Sequence, residues 1–170
     1  MEEEIINKVA QSSLVVFDLG DYYPTESREL LDISQWLYEG FILKEKEFRA
    51  ALKEVNWNFY QDKLVAITCS TDAILPSWAF MLVSSYLQPY AKIVVQGNFH
   101  QLDLAVYQKK ITNLDFSVYQ DKPVIIKGCA KKIIPEEAYV MATQKMMNYA
   151  RSIMFGEACS AVPIYKRKKE

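Results

Sequence analysis

The chain is poor in the residues that most often announce chemistry. It holds three cysteines and one histidine in 170 residues. Three thiols cannot all pair, and none stands in a C-x-x-C arrangement. A fully paired disulfide framework is therefore excluded, and a reduced, cytoplasmic compartment is expected. No G-x-G-x-x-G and no phosphate-loop pattern occurs, which removes the usual sequence marks of nucleotide binding. No apolar run approaches the roughly 18–20 residues that span a bilayer. The start, MEEEII, is acidic where a secretory signal is basic and then apolar. The formal net charge of −1 gives no overall attraction to nucleic acid or anionic lipid. The only basic cluster, Lys166-Arg167-Lys168-Lys169, reads as a solvated end.

Hydrophobic residues are plentiful, at 51% of the chain, which excludes a disordered segment. The length suits a single domain spanning residues 1–170. Eleven tyrosines and three tryptophans recur at helical spacing without a basic stripe. They read as core and interface, so a homo-oligomer is expected and neither a membrane nor a nucleic-acid partner.

The dominant feature is a segment that occurs twice, as residues 60–100 and 119–159, behind an N-terminal segment 1–57. At a constant offset of 59, Tyr60-Gln61-Asp62-Lys63 matches Tyr119-Gln120-Asp121-Lys122. The pairs Val65/Val124, Ile67/Ile126, Ile74/Ile133, Pro76/Pro135, Ala79/Ala138, Tyr90/Tyr149, Ala91/Ala150 and Gly97/Gly156 are also identical. This is the self-similarity of a duplicated unit.

Each unit reads strand, helix, strand. Leu64-Val65-Ala66-Ile67 and Val124-Ile125-Ile126 are continuous apolar runs, as buried parallel strands are. Pro76 and Pro135 suit helix starts. Ala79, Val83, Tyr86, Leu87 and Tyr90 recur at helical spacing, as do Ala138, Ala142, Met146 and Tyr149. Ile93-Val94-Val95 and Ser152-Ile153-Met154-Phe155 close the units before Gly97 and Gly156. Ahead of them, Leu14-Val15-Val16-Phe17 predicts a strand, and Asp18 and Asp21 are candidate site carboxylates whose preferred reading is turn residues bonding their own backbone. Asp32 is expected to cap a short helix carrying Ile33, Trp36 and Leu37. A second helix is expected over residues 45–55, with Phe48, Leu52 and Val55 inward. Residues 1–10 are compatible with another short helix, and a further one links the units between His100 and Ile111.

Strand–helix–strand units make parallel neighbours through right-handed crossovers. The fold class is therefore α/β, a mainly parallel or mixed sheet of about five strands built from two duplicated units. Without the linking helix, the doubled unit would instead suggest a ferredoxin-like α+β fold.

The repeat also places the scarce residues. Cys69 and Cys129 follow the first strand of each unit, and His100 and Cys159 follow the second. In parallel pairs both strands end at one edge of the sheet, where α/β proteins bind ligands. A pseudo-two-fold between the units would let the four donors converge, and a Cys3His set suits zinc. In the alternative reading the cysteines pack as small hydrophobes. In a third, Cys129 or Cys159 is a reactive thiol beside a glycine-containing turn. Asp72 and Glu157 are the candidate cofactor-binding carboxylates; their structural readings are a helix cap and a solvated turn.

Three blocks carry a family resemblance over nearly the whole chain. They are Cys69-Ser70-Thr71-Asp72-Ala73-Ile74-Leu75-Pro76-Ser77-Trp78-Ala79, Lys127-Gly128-Cys129, and Gly156-Glu157-Ala158-Cys159-Ser160-Ala161-Val162-Pro163-Ile164-Tyr165-Lys166. Through them the chain resembles an uncharacterised bacterial family typical of Bacteroidetes, known as a domain of unknown function. Ala158 stands where that pattern tends to have proline. The resemblance implies no activity, cofactor or catalytic residue, but points to the same loops. Three functions follow as expectations: a zinc-binding protein, a homo-oligomeric binding or scaffold module, and a thiol-dependent enzyme. None of them names a small-molecule ligand.

Overall fold

A computed structural model describes residues 14–168. In chain order its main elements are β1 (Val15–Asp18), β2 (Arg28–Asp32), α1 (Glu45–Lys53), β3 (Leu64–Thr68), α2 (Ser77–Leu87), β4 (Ile93–Gln96), α3 (Phe99–Asn113), β5 (Pro123–Lys127), α4 (Glu136–Met147), β6 (Ser152–Phe155) and β7 (Val162–Lys166). The helix expected over residues 1–10 lies outside the described residues. The chain forms two compact units, one from residues 14–23 and 107–168, the other from residues 24–106.

The first unit carries a four-stranded sheet in the order β1-β5-β6-β7. β1, β5 and β6 run parallel, and β7 returns antiparallel along β6. Val124, Ile125 and Ile126 are buried, as the unbroken apolar run of a central parallel strand requires. Ala138, Ala142 and Met146 recur every four residues on α4 and are fully buried in the core with Phe17, Tyr107, Ile111 and Ile153. The two alanines let the helix backbone approach the sheet. Tyr107 gives its hydroxyl proton to the Leu19 carbonyl at 2.9 Å, so the one polar atom of that buried ring is satisfied.

The second unit carries an all-parallel sheet in the order β2-β3-β4. Its central strand β3 buries Leu64, Val65, Ala66 and Ile67. One core joins Leu31, Ile33, Phe48, Leu52, Val65, Ile67, Ala79, Val83 and Leu87. A second buried cluster sets Leu64 and Ala66 against Leu102 and Val106 of α3.

The repeated residues do the same work in each unit. A 3-10 turn ends at Tyr60 in one and at Tyr119 in the other. Asp62 and Asp121 then take left-handed backbone angles, φ 60° and 56°. Their amides bond the carbonyls of Tyr90 and Tyr149 at 2.9 and 3.0 Å. Asp is one of the few L-residues that tolerate this conformation. The amides of Gly97 and Gly156 return to Ile67 and Ile126 at 2.9 and 3.2 Å, and both glycines have positive φ, which suits a residue without a Cβ.

Two strands escape sequence reading, and the strands divide between two sheets instead of forming one of about five. β2 looks polar because its charges are paired: Arg28 contacts Asp103 at 2.6 Å and Lys63 contacts Glu29 at 3.0 Å. Only Leu31 of β2 is buried. β7 contains Pro163 beside a register irregularity of its partner strand, as an edge position allows. The linking helix is present as α3, and the fold class is α/β, not ferredoxin-like.

Candidate functional site

In the first unit, the ends of β1, β5 and β6 lie side by side, because Asp18 is in register with Lys127 and Ile126 with Phe155. Asp18 bonds its own backbone, as a turn residue does: Oδ1 accepts from the Gly20 amide at 2.7 Å. Its Oδ2 lies 3.5 Å from Lys127 Nζ, which is also 3.9 Å from Glu157 Oε1. Cys129 is half-buried beside them. A methyl group at Gly20 would meet Cys129 Cβ at 2.8 Å and Asp18 Oδ1 at 2.9 Å, so the missing side chain is what admits the thiol-bearing loop. Lys132 fixes the same turn by donating to the Gly20 carbonyl at 2.8 Å.

Tyr139, in the first turn of α4, completes the group. Its phenol lies against the backbone of Gly128. Burial raises its pKa above the ordinary 10.0, and the negative charges of Asp18 and Cys129 raise it further. At neutral pH Tyr139 is therefore a hydrogen-bond donor. Its ring packs edge-on against Phe155, with centroids 5.7 Å apart. Cys159 is exposed in a turn closed by the Ser160 amide on the Glu157 carbonyl at 2.9 Å.

The corresponding edge of the second unit is built from hydroxyls. Asp32 Oδ1 accepts from the amides of Ser34 at 2.9 Å and Ser70 at 3.1 Å, so it caps the turn at Ile33–Trp36 as expected. Burial works to raise its pKa, but the hydrogen bonds from Ser70 and Ser34 outweigh burial and hold it below the ordinary 3.8. Cys69 Sγ lies 3.5 Å from the Thr71 carbonyl and 3.4 Å from its hydroxyl. Thr71 in turn donates to the Gly40 carbonyl at 2.7 Å. Asp72 is exposed and caps nothing, because α2 begins after Pro76. His100 is exposed in the first turn of α3, with its amide on Asn98 Oδ1 at 2.8 Å. The Asn98 amide bonds Gln101 Oε1 at 2.9 Å, which completes a reciprocal capping box.

Cys69 and His100 thus belong to one unit, and Cys129 and Cys159 to the other. Among the described residues, no group of three or more His, Cys, Asp or Glu is arranged to hold a metal ion. The structure instead gathers Asp18, Lys127, Cys129, Tyr139 and Glu157. The sequence points to Cys129 and Glu157 and offers Asp18 as a site carboxylate behind its turn role, but does not single out Lys127 or Tyr139 as site residues. A signal for Tyr139 existed: it occupies the position of Phe80 in the repeat and differs by one hydroxyl.

The fold and this edge define an α/β protein with a polar cluster at its strand ends. Over residues 3–167 the chain matches the model of the family described as "Protein of unknown function (DUF2480)", and it belongs to that family. No curated protein and no solved structure matches it. Among the described residues, no helix is long and apolar enough to cross a membrane.

Proposed function

We propose that the protein binds a small molecule at the strand-end edge of the unit formed by residues 14–23 and 107–168. Asp18, Lys127, Cys129 and Tyr139 are the contacting groups, and Glu157 stands at the rim. The observation that carries this reading is chemical diversity in one place. Two parallel strands, the loop after β5 and the first turn of α4 bring an acid, an ammonium, a thiol and a phenol around two glycines. Loops at the carboxyl ends of parallel strands are where open α/β sheets take ligands. Such a set recognises a polar group by charge and hydrogen bonds, and presents a thiol to what it holds.

The test is ligand-detected NMR against a library of small carboxylates, phosphates, nucleotides and aldehydes, with Lys127→Ala and Tyr139→Phe as comparators. Hits that weaken in both variants and slow alkylation of Cys129 by iodoacetamide support the reading. An identical hit list for all three proteins sinks it. Elemental analysis of the same samples decides the role of the thiol. Stoichiometric zinc that disappears in Cys129→Ser makes it a metal ligand instead of a nucleophile.

A second reading, a non-catalytic homo-oligomeric module, draws support from Ile74 and Ile133. These identical residues hold the same place in the repeat and are 99% and 86% exposed. Light scattering on Ile74→Ser and Ile133→Ser addresses it: a dimer lost on substitution favours it, and a monomeric parent protein removes it.

A further inference from the structure

Next to the polar edge of the first unit lies a cavity of about 290 Å³ between α4 and strands β6 and β7. Its volume falls just below the roughly 300–1,000 Å³ typical of small-molecule pockets. Buried Ile126 and Ile153 line it with Val140, Thr143, Phe155 and Ile164. Tyr139 lines it as well, so one side chain belongs both to this apolar cavity and to the cluster of Asp18 and Cys129.

The second unit supplies an internal comparison. It has a cavity of about 420 Å³ lined by the residues that match at the same offset, including Ile67, Phe80, Met81, Ser84, Val94 and Gln96. In its lining Phe80 replaces Tyr139 and Gln96 replaces Phe155, and at the adjoining strand end Thr68 replaces Lys127. That cavity therefore lacks the phenol, a polar side chain stands in place of the Phe155 ring, and the strand end beside it carries no ammonium. The first unit is set apart by a phenol in the cavity lining, a more apolar wall and a cation at the adjoining strand end. Together they describe a receptor for a molecule with an apolar body and an anionic head.

Lys127 has capacity for such a head. Its distances of 3.5 and 3.9 Å to Asp18 and Glu157 exceed the roughly 2.7–2.9 Å of a charge-assisted hydrogen bond. Asp18 is held in place through its other oxygen by Gly20. Glu157 is the more distant and more exposed partner. We propose that the cavity takes the apolar body of a monocarboxylic acid, whose carboxylate replaces Glu157 on Lys127 and accepts from the Tyr139 hydroxyl. This assignment rests on the reading of the edge as a ligand site and names the ligand class for it.

The experiment is isothermal titration calorimetry of the full chain with octanoic acid below its micelle concentration, with 1-octanol and octylamine as comparators. One saturable site per chain is expected for the acid, with at least tenfold weaker binding of the alcohol and the amine. Val140→Trp, at a 57% exposed position lining the cavity, is expected to weaken binding at least tenfold. Ile164→Trp repeats that test from β7, should the first variant fold poorly. Met81→Trp, at the matching 69% exposed position of the other cavity, is expected to change nothing. Lys127→Ala is expected to weaken binding about tenfold and Glu157→Gln to tighten it severalfold, because the competing carboxylate is gone. The assignment is overturned by equal binding of octylamine, by an equal loss in Met81→Trp, or by an absence of saturable heat. It is also overturned by a stable dimer that Val140→Trp converts to monomer, since a second copy then fills the cavity. If polar ligands protect Cys129 while octanoic acid fails to bind, the edge stands and only the cavity assignment fails. If octanoic acid binds and Lys127→Ala leaves it unchanged, the carboxylate does not sit on Lys127 and the assignment fails, while the reading of the edge stands or falls on its own polar ligands.

Discussion

The phenol of Tyr139 rests on the backbone of Gly128, closer than any methyl group could be accommodated. A Cβ added at Gly128 would meet both the phenol oxygen and, at 2.9 Å, the ring carbon that bears it and Ile134 Cδ1. A glycine on one strand end therefore sets the position of the side chain that joins the apolar cavity to the polar cluster. Gly128→Ala is expected to destabilise the first unit by about 1–3 kcal/mol through overpacking. Tyr139→Phe removes the nearest atom, so the double variant should recover part of that loss. Urea denaturation of the four proteins in the cycle measures the coupling. Strict additivity would show that the two residues do not constrain each other.

In the second unit, Asp103 is the charge buried most deeply, at 6% exposure, and its partner is Arg28 at 2.6 Å. Truncation removes the Asp103 carboxylate from the guanidinium and leaves a desolvated space behind it. Asp103→Ala is expected to cost about 2–4 kcal/mol, below the upper range for fully buried pairs because Arg28 keeps some contact with water. Chemical denaturation checks this. A change under about 0.5 kcal/mol, the scale of an exposed ion pair, would reject it.

Asp32 gives the acid side of the stability curve a direction. Its carboxylate is held below its ordinary pKa in the folded chain by hydrogen bonds from Ser70 and Ser34. A lowered folded-state pKa contributes stability above the unfolded value, and that stability is lost as the pH falls through the folded value. Thermal melting between pH 6 and pH 2 should therefore show a drop below about pH 4. The drop should be smaller in Asp32→Asn, which keeps one acceptor but no charge. Equal acid sensitivity in both proteins would remove Asp32 as a contributor.

Two of the three thiols should react in a fixed order. Cys159 is exposed, whereas Cys69 is half-buried with its sulfur on Thr71. Iodoacetamide under native conditions, followed by peptide mass spectrometry, is expected to label Cys159 at least tenfold faster than Cys69. Thr71→Val removes the hydroxyl contact and should narrow the gap. Equal native rates would show that the Thr71 contacts do not shield Cys69.

Much of this was legible in the residues themselves. The apolar runs of β3 and β5 and the stripe Ala138, Ala142, Met146 follow from local chemistry and spacing. β2 was not legible, because its outward charges read as solvent-facing until Asp103 and Lys63 are seen beside them. Nor was the site. Lys127 enters only as part of its block with Gly128 and Cys129, Tyr139 is marked only by the hydroxyl that Phe80 lacks, and Asp18 has a sufficient local explanation in the Gly20 amide.

The sequence alone determined most of the strands and helices, β3, β5, α2 and α4 among them, since those choices are made by side-chain periodicity within a few residues. Only the tertiary structure decided which strands become neighbours. β1 pairs with β5, Val15 against Val124, while β2 takes β3, Arg28 against Leu64. A parallel strand carries no mark of its partner, because the ladder is made by backbone groups that every residue possesses. That pairing is what sets Asp18 beside Lys127 and Cys129.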